Sequence, residues 1–465
     1  MSLELHLEHP RNRGLIPRGA HTGAAGGAAC GDLLRISLAL ERDRIAAAGF
    51  DATGCGTALA AGSAVVALVE GRSLLAAARV GTDQVAAELG GLSAAKRHAA
   101  ELAADALHRA LGHAARADAA LAPAPGRRLV ALSGGVDSAV AALLSGSRAV
   151  AVTLELWSDP ENDGDSSCCS AQAVRSARAI AHGLGLPHLS LDLRAEFRAG
   201  VVEPWLAGHA AGLTPNPCVR CNGEVRLDAM LELAGRLGAA ALVTGHYARV
   251  RDGLLRVAAD PAKDQSYSLA ALDPRSLARL RFPLGQLSKL QVRELAARHG
   301  LPVAAKPDSQ DLCFLAGAGR EGFLARHGGL GERDGPLIDT RGAAIGRHRG
   351  AHNYTVGQRR GLGIGGGTPL YVIETDADAN TVTVGPREAL ATRMVPIRDP
   401  VIHREGFDRV RLRYRQRPVP CSRLSGHGGQ LALELGEPAY GVAPGQLACL
   451  MAGELVVGHA TIAAV

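Results

Sequence analysis

The apolar positions of this 465-residue chain change period along its length, and those changes divide it. "RRLVALSGGVDSAVAALL", residues 127–144, runs an apolar strand into a Gly turn and then into a helical pattern. From there to about residue 250, continuous apolar runs such as "AVAVTLEL" (149–156) and "AALVTGH" (240–246) alternate with helical stretches such as "AQAVRSARAIAHGLG" (171–185). That alternation predicts βαβ units around a parallel sheet. Residues 316–393 are Gly-rich and mixed, and from about 394 short alternating segments with Gly and Pro turns predict a small β-barrel. "HAARADAALAPAPGRR" (113–128) has no sustained period, and its prolines favour extended backbone, so it reads as a flexible connector. The expected organisation is a front domain over 1–117, a linker over 118–126, an α/β domain over 127–315, a central domain over 316–393 and a barrel over 394–465.

Composition narrows the class. Hydrophobic residues make up 47% of the chain, enough for several cores. No run of about 18 apolar residues occurs, so no membrane span is expected. The N-terminus "MSLELHLEHPRNRG" has no apolar signal core, and a cytoplasmic protein is the expectation. Nine cysteines in such a chain point to metal-binding, catalytic or buried thiols rather than structural disulfides. The formal charge is +6. Residues 1–125 carry 12 basic and 12 acidic side chains, so the whole excess falls in 126–465, which fits an anionic partner such as RNA and equally a basic surface that is simply solvated. "DRVRLRYRQRP" sets Arg409, Arg411, Arg413, Arg415 and Arg417 at every second position. In a strand these would share one face, with Val410, Leu412 and Tyr414 on the other.

"LSGGVDS" (132–138) follows a strand and opens a helix, placing backbone N–H groups and a helix N-terminus where an anion binds. It lacks the Walker A pattern. S-G-G-x-D-S resembles the PP-loop of the ATP pyrophosphatases, which split ATP between the α and β phosphates. "TPNPCVRCN" (214–222), "TGHYAR" (244–249), "KDQSYSL" (263–269), "KPDSQDLCF" (306–314), "TVGQRRGLGI" (355–364), "RYRQ" (413–416) and "PGQLA" (444–448) together resemble the tRNA-specific 2-thiouridylases over residues 127–465. The resemblance implies ATP-dependent 2-thiolation of the wobble uridine of tRNA, with Mg²⁺, through adenylation of the base and sulfur transfer from a cysteine persulfide. It implies ATP-binding positions at Ala131, Leu132, Ser133, Gly134, Gly135, Val136, Asp137, Ser138, Leu154 and Gly245. It makes Cys221 the nucleophile and Cys313 the persulfide carrier. tRNA contacts follow at Asn216, Pro217, Cys218, His246, Lys263, Asp264, Gln265, Arg413, Tyr414 and Gln446. The chain departs from the pattern at Leu154, where members often carry Met, and at Cys218, where many carry Asp. A sulfur donor, a cysteine desulfurase or a relay protein, is an implied partner.

At the front, "EHPRNRG" (8–14), "ACGD" (29–32), "TGCGTALAAGS" (53–63) and "KRHAAELAADAL" (96–107) resemble the U-type iron–sulfur scaffold proteins, an α+β fold. Cys30, Asp32, Cys55 and His98 match that family's ligand region, but Ala99 stands where its third Cys belongs. Two thiolates, a carboxylate and an imidazole still make a four-donor set for zinc or iron. A second arrangement is a cluster on Cys218, Cys221 and Cys313, fed in cis by the front domain across a flexible linker. The rival readings are another PP-loop ligase, an iron–sulfur carrier with an idle ATP domain, and a zinc module built on the C-x-x-C.

Overall fold

The computed structural model describes residues 2–26, 31–159, 170–308, 312–315, 318–365, 368–427 and 430–464. Cys30 and the Cys168–Cys169 pair lie outside them. The chain forms two compact units, each assembled from several segments.

The first unit holds residues 1–194, 228–246 and 279–313. Its front part is an antiparallel sheet of β1 (His21–Gly26), β2 (Leu33–Glu41) and β3 (Arg44–Thr53) in that order. Alternate positions of β2, Leu34, Ile36 and Leu38, are completely buried. The helices Gly56–Val69 and Arg97–Ala117 cover this sheet. Next comes a parallel sheet of β4 (Ala124–Ala131), β5 (Ala149–Glu155), β6 (His188–Asp192), β7 (Ala239–Val243) and β10 (Leu280–Arg281), in the order β10-β7-β4-β5-β6. β5, an inner strand between β4 and β6, is buried throughout, as its unbroken apolar run requires.

The expected flexible connector is held at both ends, its first residues closing the helix Arg97–Ala117 and its last opening β4. β4 begins at Ala124, inside it, while Leu121 N–H donates to Arg236 O at 2.9 Å and Ala124 N–H to Gly238 O at 2.9 Å. Pro123 and Pro125 do favour extended backbone, but that backbone found a strand partner. The front domain and the parallel sheet accordingly belong to one compact unit.

The second unit holds residues 195–227, 247–278 and 314–465. Strands β15 (Ala391–Ile402), β18 (Gln430–Tyr440), β17 (Val419–His427), β16 (Arg409–Arg411), β19 (Leu447–Ala452) and β20 (Leu455–Ile462) pair in that order, and β15 pairs back to β20 to close a barrel. Val395, Val410, Leu412, Leu433, Leu450 and Val457 fill it. The hairpin β8 (Arg249–Arg251) and β9 (Leu254–Arg256), from the middle of the chain, adds to β20. A four-stranded sheet of β12 (Ala344–His348), β11 (Gly335–Ile338), β14 (Thr381–Gly385) and β13 (Tyr371–Asp376) has its own core of Leu337, Val372, Val382 and Val384. No helix of the described residues is long and apolar enough to cross a membrane.

Candidate functional site

In the first unit the site begins at the carboxyl ends of β4 and β7. β5 and β6 lie to one side of β4 and β7 to the other, so the strand order reverses there, and parallel sheets bind ligands at such a point. Ser133 to Ser138 turn from β4 into the helix Val136–Ser145. Ser138 Oγ accepts from Ser133 N–H at 3.1 Å and donates to Gly135 O at 3.0 Å, which closes the loop on itself. Gly245, just past β7, faces this loop. A Cβ there would stand 2.8 Å from Asp137 C and Ser138 N, so only glycine permits the approach. Leu154 is buried at the end of β5, one residue before Glu155. His246 contacts Thr244 Oγ1 through Nδ1 at 2.8 Å.

Cations reach this loop from far along the chain. Lys289 Nζ lies 2.6 Å from Asp137 Oδ1 and 2.8 Å from Asp308 Oδ1, and Arg293 holds Asp308 at 3.0 Å. Lys306 Nζ donates to Gly134 O at 3.0 Å. Asp137, an odd residue for a phosphate loop, is therefore paired with an ammonium. The sequence reading did not single out Lys289 or Lys306. Lys306 opens the quoted "KPDSQDLCF" and was visible there; Lys289 sits in no motif. Cys313, in the same segment, is half-buried and belongs to this unit.

The second unit presents the other thiols. Asn216 caps the short helix Pro217–Arg220, its Oδ1 accepting from Cys218 N–H at 3.1 Å and Val219 N–H at 3.4 Å. Pro217 occupies the first turn, where its missing N–H costs nothing. The chain then widens into a π-helical turn, Cys221–Arg226, a form concentrated at functional sites. Cys221, its first residue, is buried, whereas Cys218 is exposed. The outer surface of Cys218 is open, yet its thiol is crowded enough that desolvation raises its pKa, with the Arg226 guanidinium acting the other way. Asn222 donates to Ser268 O at 3.3 Å and leaves its buried Oδ1 without a hydrogen-bond partner.

Other motifs converge on this segment. Gln446 Nε2 donates to Thr214 O at 2.7 Å, Thr214 N–H donates to Pro444 O at 2.8 Å, and Tyr267 O–H donates to Leu447 O at 2.8 Å. Both oxygens of Asp264 are engaged inside the unit: Oδ1 by Ala258 N–H at 2.8 Å, Oδ2 by Ser266 Oγ at 2.7 Å and Arg411 at 2.7 Å. Gln265 Oε1 accepts from Tyr247 N–H at 2.9 Å. Lys263 is half-buried beside them.

The single arginine face is corrected. β16 stops at Arg411, and Arg413 to Gln416 form a turn. Arg411 is buried on Asp264, Arg413 donates to Val356 O, and Arg409 pairs with Asp408 at 3.1 Å. Val410 and Leu412 do line the core, but Tyr414 is exposed on the turn, with Arg415 over its ring at 5.9 Å. Strand alternation cannot extend past the residue where pairing ends.

In the front domain, Asp32 Oδ2 stands 3.2 Å from both Cys55 Sγ and His98 Nε2, and the three donor atoms lie within 4.8 Å of one another. Bonds of 2.0–2.3 Å to one tetrahedral ion would place donors roughly 3.3–3.6 Å apart, so the set fits a metal. His98 Nδ1 faces Ala95 O at 3.3 Å, which orients Nε2 as the ligand atom. The N–H of Cys55 donates to Asp32 and, with the nearby His98, holds that carboxyl below its ordinary range. Ala99 is fully buried among apolar neighbours and offers no donor. Among the described residues this is the one group with metal-ligand spacing; Cys218 and Cys221 belong to one unit and Cys313 to the other.

Comparison with known proteins accounts for all four parts. Residues 3–118 match the NifU-like N terminal domain, 127–317 the tRNA methyl transferase HUP domain, 321–386 the tRNA methyl transferase PRC-barrel domain and 391–462 the aminomethyltransferase beta-barrel domain. The bifunctional protein NifU/MnmA of Rubrobacter xylanophilus is 44% identical over 98% of this chain and 97% of its own length. The tRNA-specific 2-thiouridylases MnmA of Thermobifida fusca and Salinispora tropica are 44% and 45% identical over 72% and 73% of this chain, and over 95% and 99% of theirs. The chain belongs to the tRNA-specific 2-thiouridylase family, in the form that carries a NifU-like domain at its front.

Proposed function

We propose that this protein is an ATP-dependent tRNA-uridine 2-sulfurtransferase acting on the wobble uridine. The observation that carries the reading is the Ser133–Ser138 loop at the strand-order reversal, with Lys289 and Lys306 on it. The uridine 2-carbonyl oxygen attacks the α-phosphorus of ATP, the bond to the bridging oxygen breaks, and pyrophosphate departs. Loop amides, the helix N-terminus and the two ammonium groups stabilise the charge gathering on pyrophosphate. Asp137 would help to hold Mg²⁺ bound with ATP, which would supply further charge neutralisation.

The adenylated base then has AMP as leaving group. Sulfur arrives as a persulfide on Cys313, from a desulfurase or relay protein. Cys221 thiolate attacks the inner sulfur, which frees hydrosulfide to attack C2 and expel AMP. A Cys221–Cys313 disulfide remains for an external thiol to reduce. On the tRNA side, Lys263, Arg413 and Tyr414 supply charge and a stacking surface. Asn216, Asp264, Gln265 and Gln446 act by holding the segments that meet the RNA. In the front domain Asp32, Cys55 and His98 would hold zinc or iron, and an iron there would supply a site for sulfide.

The test separates the two half-reactions. Cys221→Ser and Cys313→Ser are each expected to abolish thiolation of unmodified tRNA while tRNA-dependent pyrophosphate release continues. Absence of pyrophosphate release by the wild-type protein with ATP and tRNA would overturn the adenylation step itself.

A further inference from the structure

The helix Arg97–Ala117 serves two sheets of the first unit. One side packs on β1 and β2, the other on β6, the edge strand of the parallel sheet. Contact with β6 is close: a Cβ on Gly112 would stand 1.8 Å from Ser190 O, so glycine is required there. An open edge strand offers unpaired backbone, and this helix covers it.

Two buried polar links run from this helix toward the phosphate loop. Arg109 makes a bidentate pair with Glu155 at the end of β5, at 2.8 Å and 2.7 Å, and its third nitrogen donates to Ala24 O of β1 at 2.6 Å. The Glu155 side chain is 6% exposed and that of Arg109 22%. His108, fully buried, contacts His188 O through Nδ1 at 2.8 Å. His188 Nε2 reaches Thr153 Oγ1 at 2.8 Å, and that hydroxyl donates to Leu132 O at 2.8 Å. Leu132 is the residue just before Ser133. A second ion-pair set, Asp105 with Arg175 at 2.8 Å and Arg178 at 2.7 Å, fastens the same helix to the helix Ala171–Gly183, whose first turns pack on Gly134 of the loop, whereas the exposed Arg11–Glu70 pair at 2.8 Å lies wholly within the front domain.

We infer that the NifU-like domain completes the nucleotide site, with Arg109 as a positioning residue that sets the end of β5 through Glu155. A bidentate guanidinium–carboxylate pair fixes both distance and plane. Leu154 precedes Glu155 directly, so loss of the pair frees the strand end on which the nucleotide is expected to rest. The front domain is thus a built-in part of the catalytic unit rather than a tethered donor.

The inference rests on the nucleotide-binding reading above, and the experiment keeps the two apart. In the full chain, Arg109→Gln and Glu155→Gln are each expected to raise KM for ATP about tenfold in tRNA-dependent pyrophosphate release, with kcat at saturating ATP within about twofold. The double variant should be no worse than either single one, because both remove the same pair. Arg109→Lys, which keeps the charge but not the fork, should recover only part, and it serves as the folded reference if Arg109→Gln does not fold. Arg11→Gln, which breaks the surface pair with Glu70 inside the front domain, should leave KM for ATP unchanged. An unchanged KM in folded Arg109 and Glu155 variants, additive losses in the double variant, or an equal rise in Arg11→Gln would each overturn the inference. A wild-type protein without pyrophosphate release would instead overturn the nucleotide reading.

Discussion

Lys306 reaches the phosphate loop from 172 residues away and donates to the carbonyl of Gly134. Under the adenylation proposed above, a residue so placed would contribute its charge where pyrophosphate leaves. Lys306→Ala is therefore expected to cut tRNA-dependent pyrophosphate release roughly 10²-fold, the usual cost of one preorganised donor to a developing anion. Rapid-quench measurement checks it, and an unimpaired rate would remove Lys306 from the chemistry. The residues of the loop itself were readable because strand, Gly turn and helix are contiguous. Lys289, 152 residues from Asp137, was not, because no local pattern records which distant side chain will meet a carboxylate. Asp264 shows the converse. Its motif is plain in the sequence, but only the packed unit reveals that the carboxylate holds Arg411, Ser266 and the Ala258 amide.

Elements inherit that limit. The alternation over 409–417 is a correct strand signal for three residues, after which the backbone turns. What ends β16 is its pairing: it runs beside β17 and β19 only from Arg409 to Arg411. Arg411 then faces inward to Asp264, with side chains only 10% and 7% exposed. Removing one partner from a buried pair costs about 3 kcal/mol, near a 10²-fold change in a local opening equilibrium. Asp264→Asn should accordingly speed amide exchange in β16 and β19 by about that factor in the full chain. Exchange as slow as in the wild type would mean that the pair contributes nothing to the barrel. The helix Arg97–Ala117 was likewise visible as an element, while its second packing face became evident only with β6 against it.

Across the molecule, the junction between front domain and parallel sheet is rich in buried histidine. Burial, Arg178 and the neighbouring rings hold His108 and His188 well below their ordinary pKa, and burial lowers His182. This holds even though two carbonyls face His108. The unfolded chain takes up these protons below about pH 6.5 and the folded one does not, so stability falls with falling pH, by about 1.4 kcal/mol per unit for each such ring. The two tryptophans fall one in each unit, Trp157 in the first and Trp205 in the second. In a Trp205→Phe background, Trp157 fluorescence should therefore report an unfolding midpoint in urea that drops between pH 7.5 and pH 5. A flat midpoint would mean that these rings are already protonated in the folded state.

The chain's own order of residues was enough for the fold classes and for the strand, turn and helix around Ser133–Ser138, because each is written in contiguous periodicity or a short motif; the roles of Cys221 and Cys313 belong to the proposal above. Packing alone determined that residues 195–227 and 247–278 leave the parallel sheet for the barrel unit, and that β4 begins as early as Ala124. It also brought Lys289, Arg109 and Asp264 to their partners. Those outcomes depend on which surfaces bury one another across separations of 46 to 152 residues, and the energy that selects among them exists only once the chain has folded.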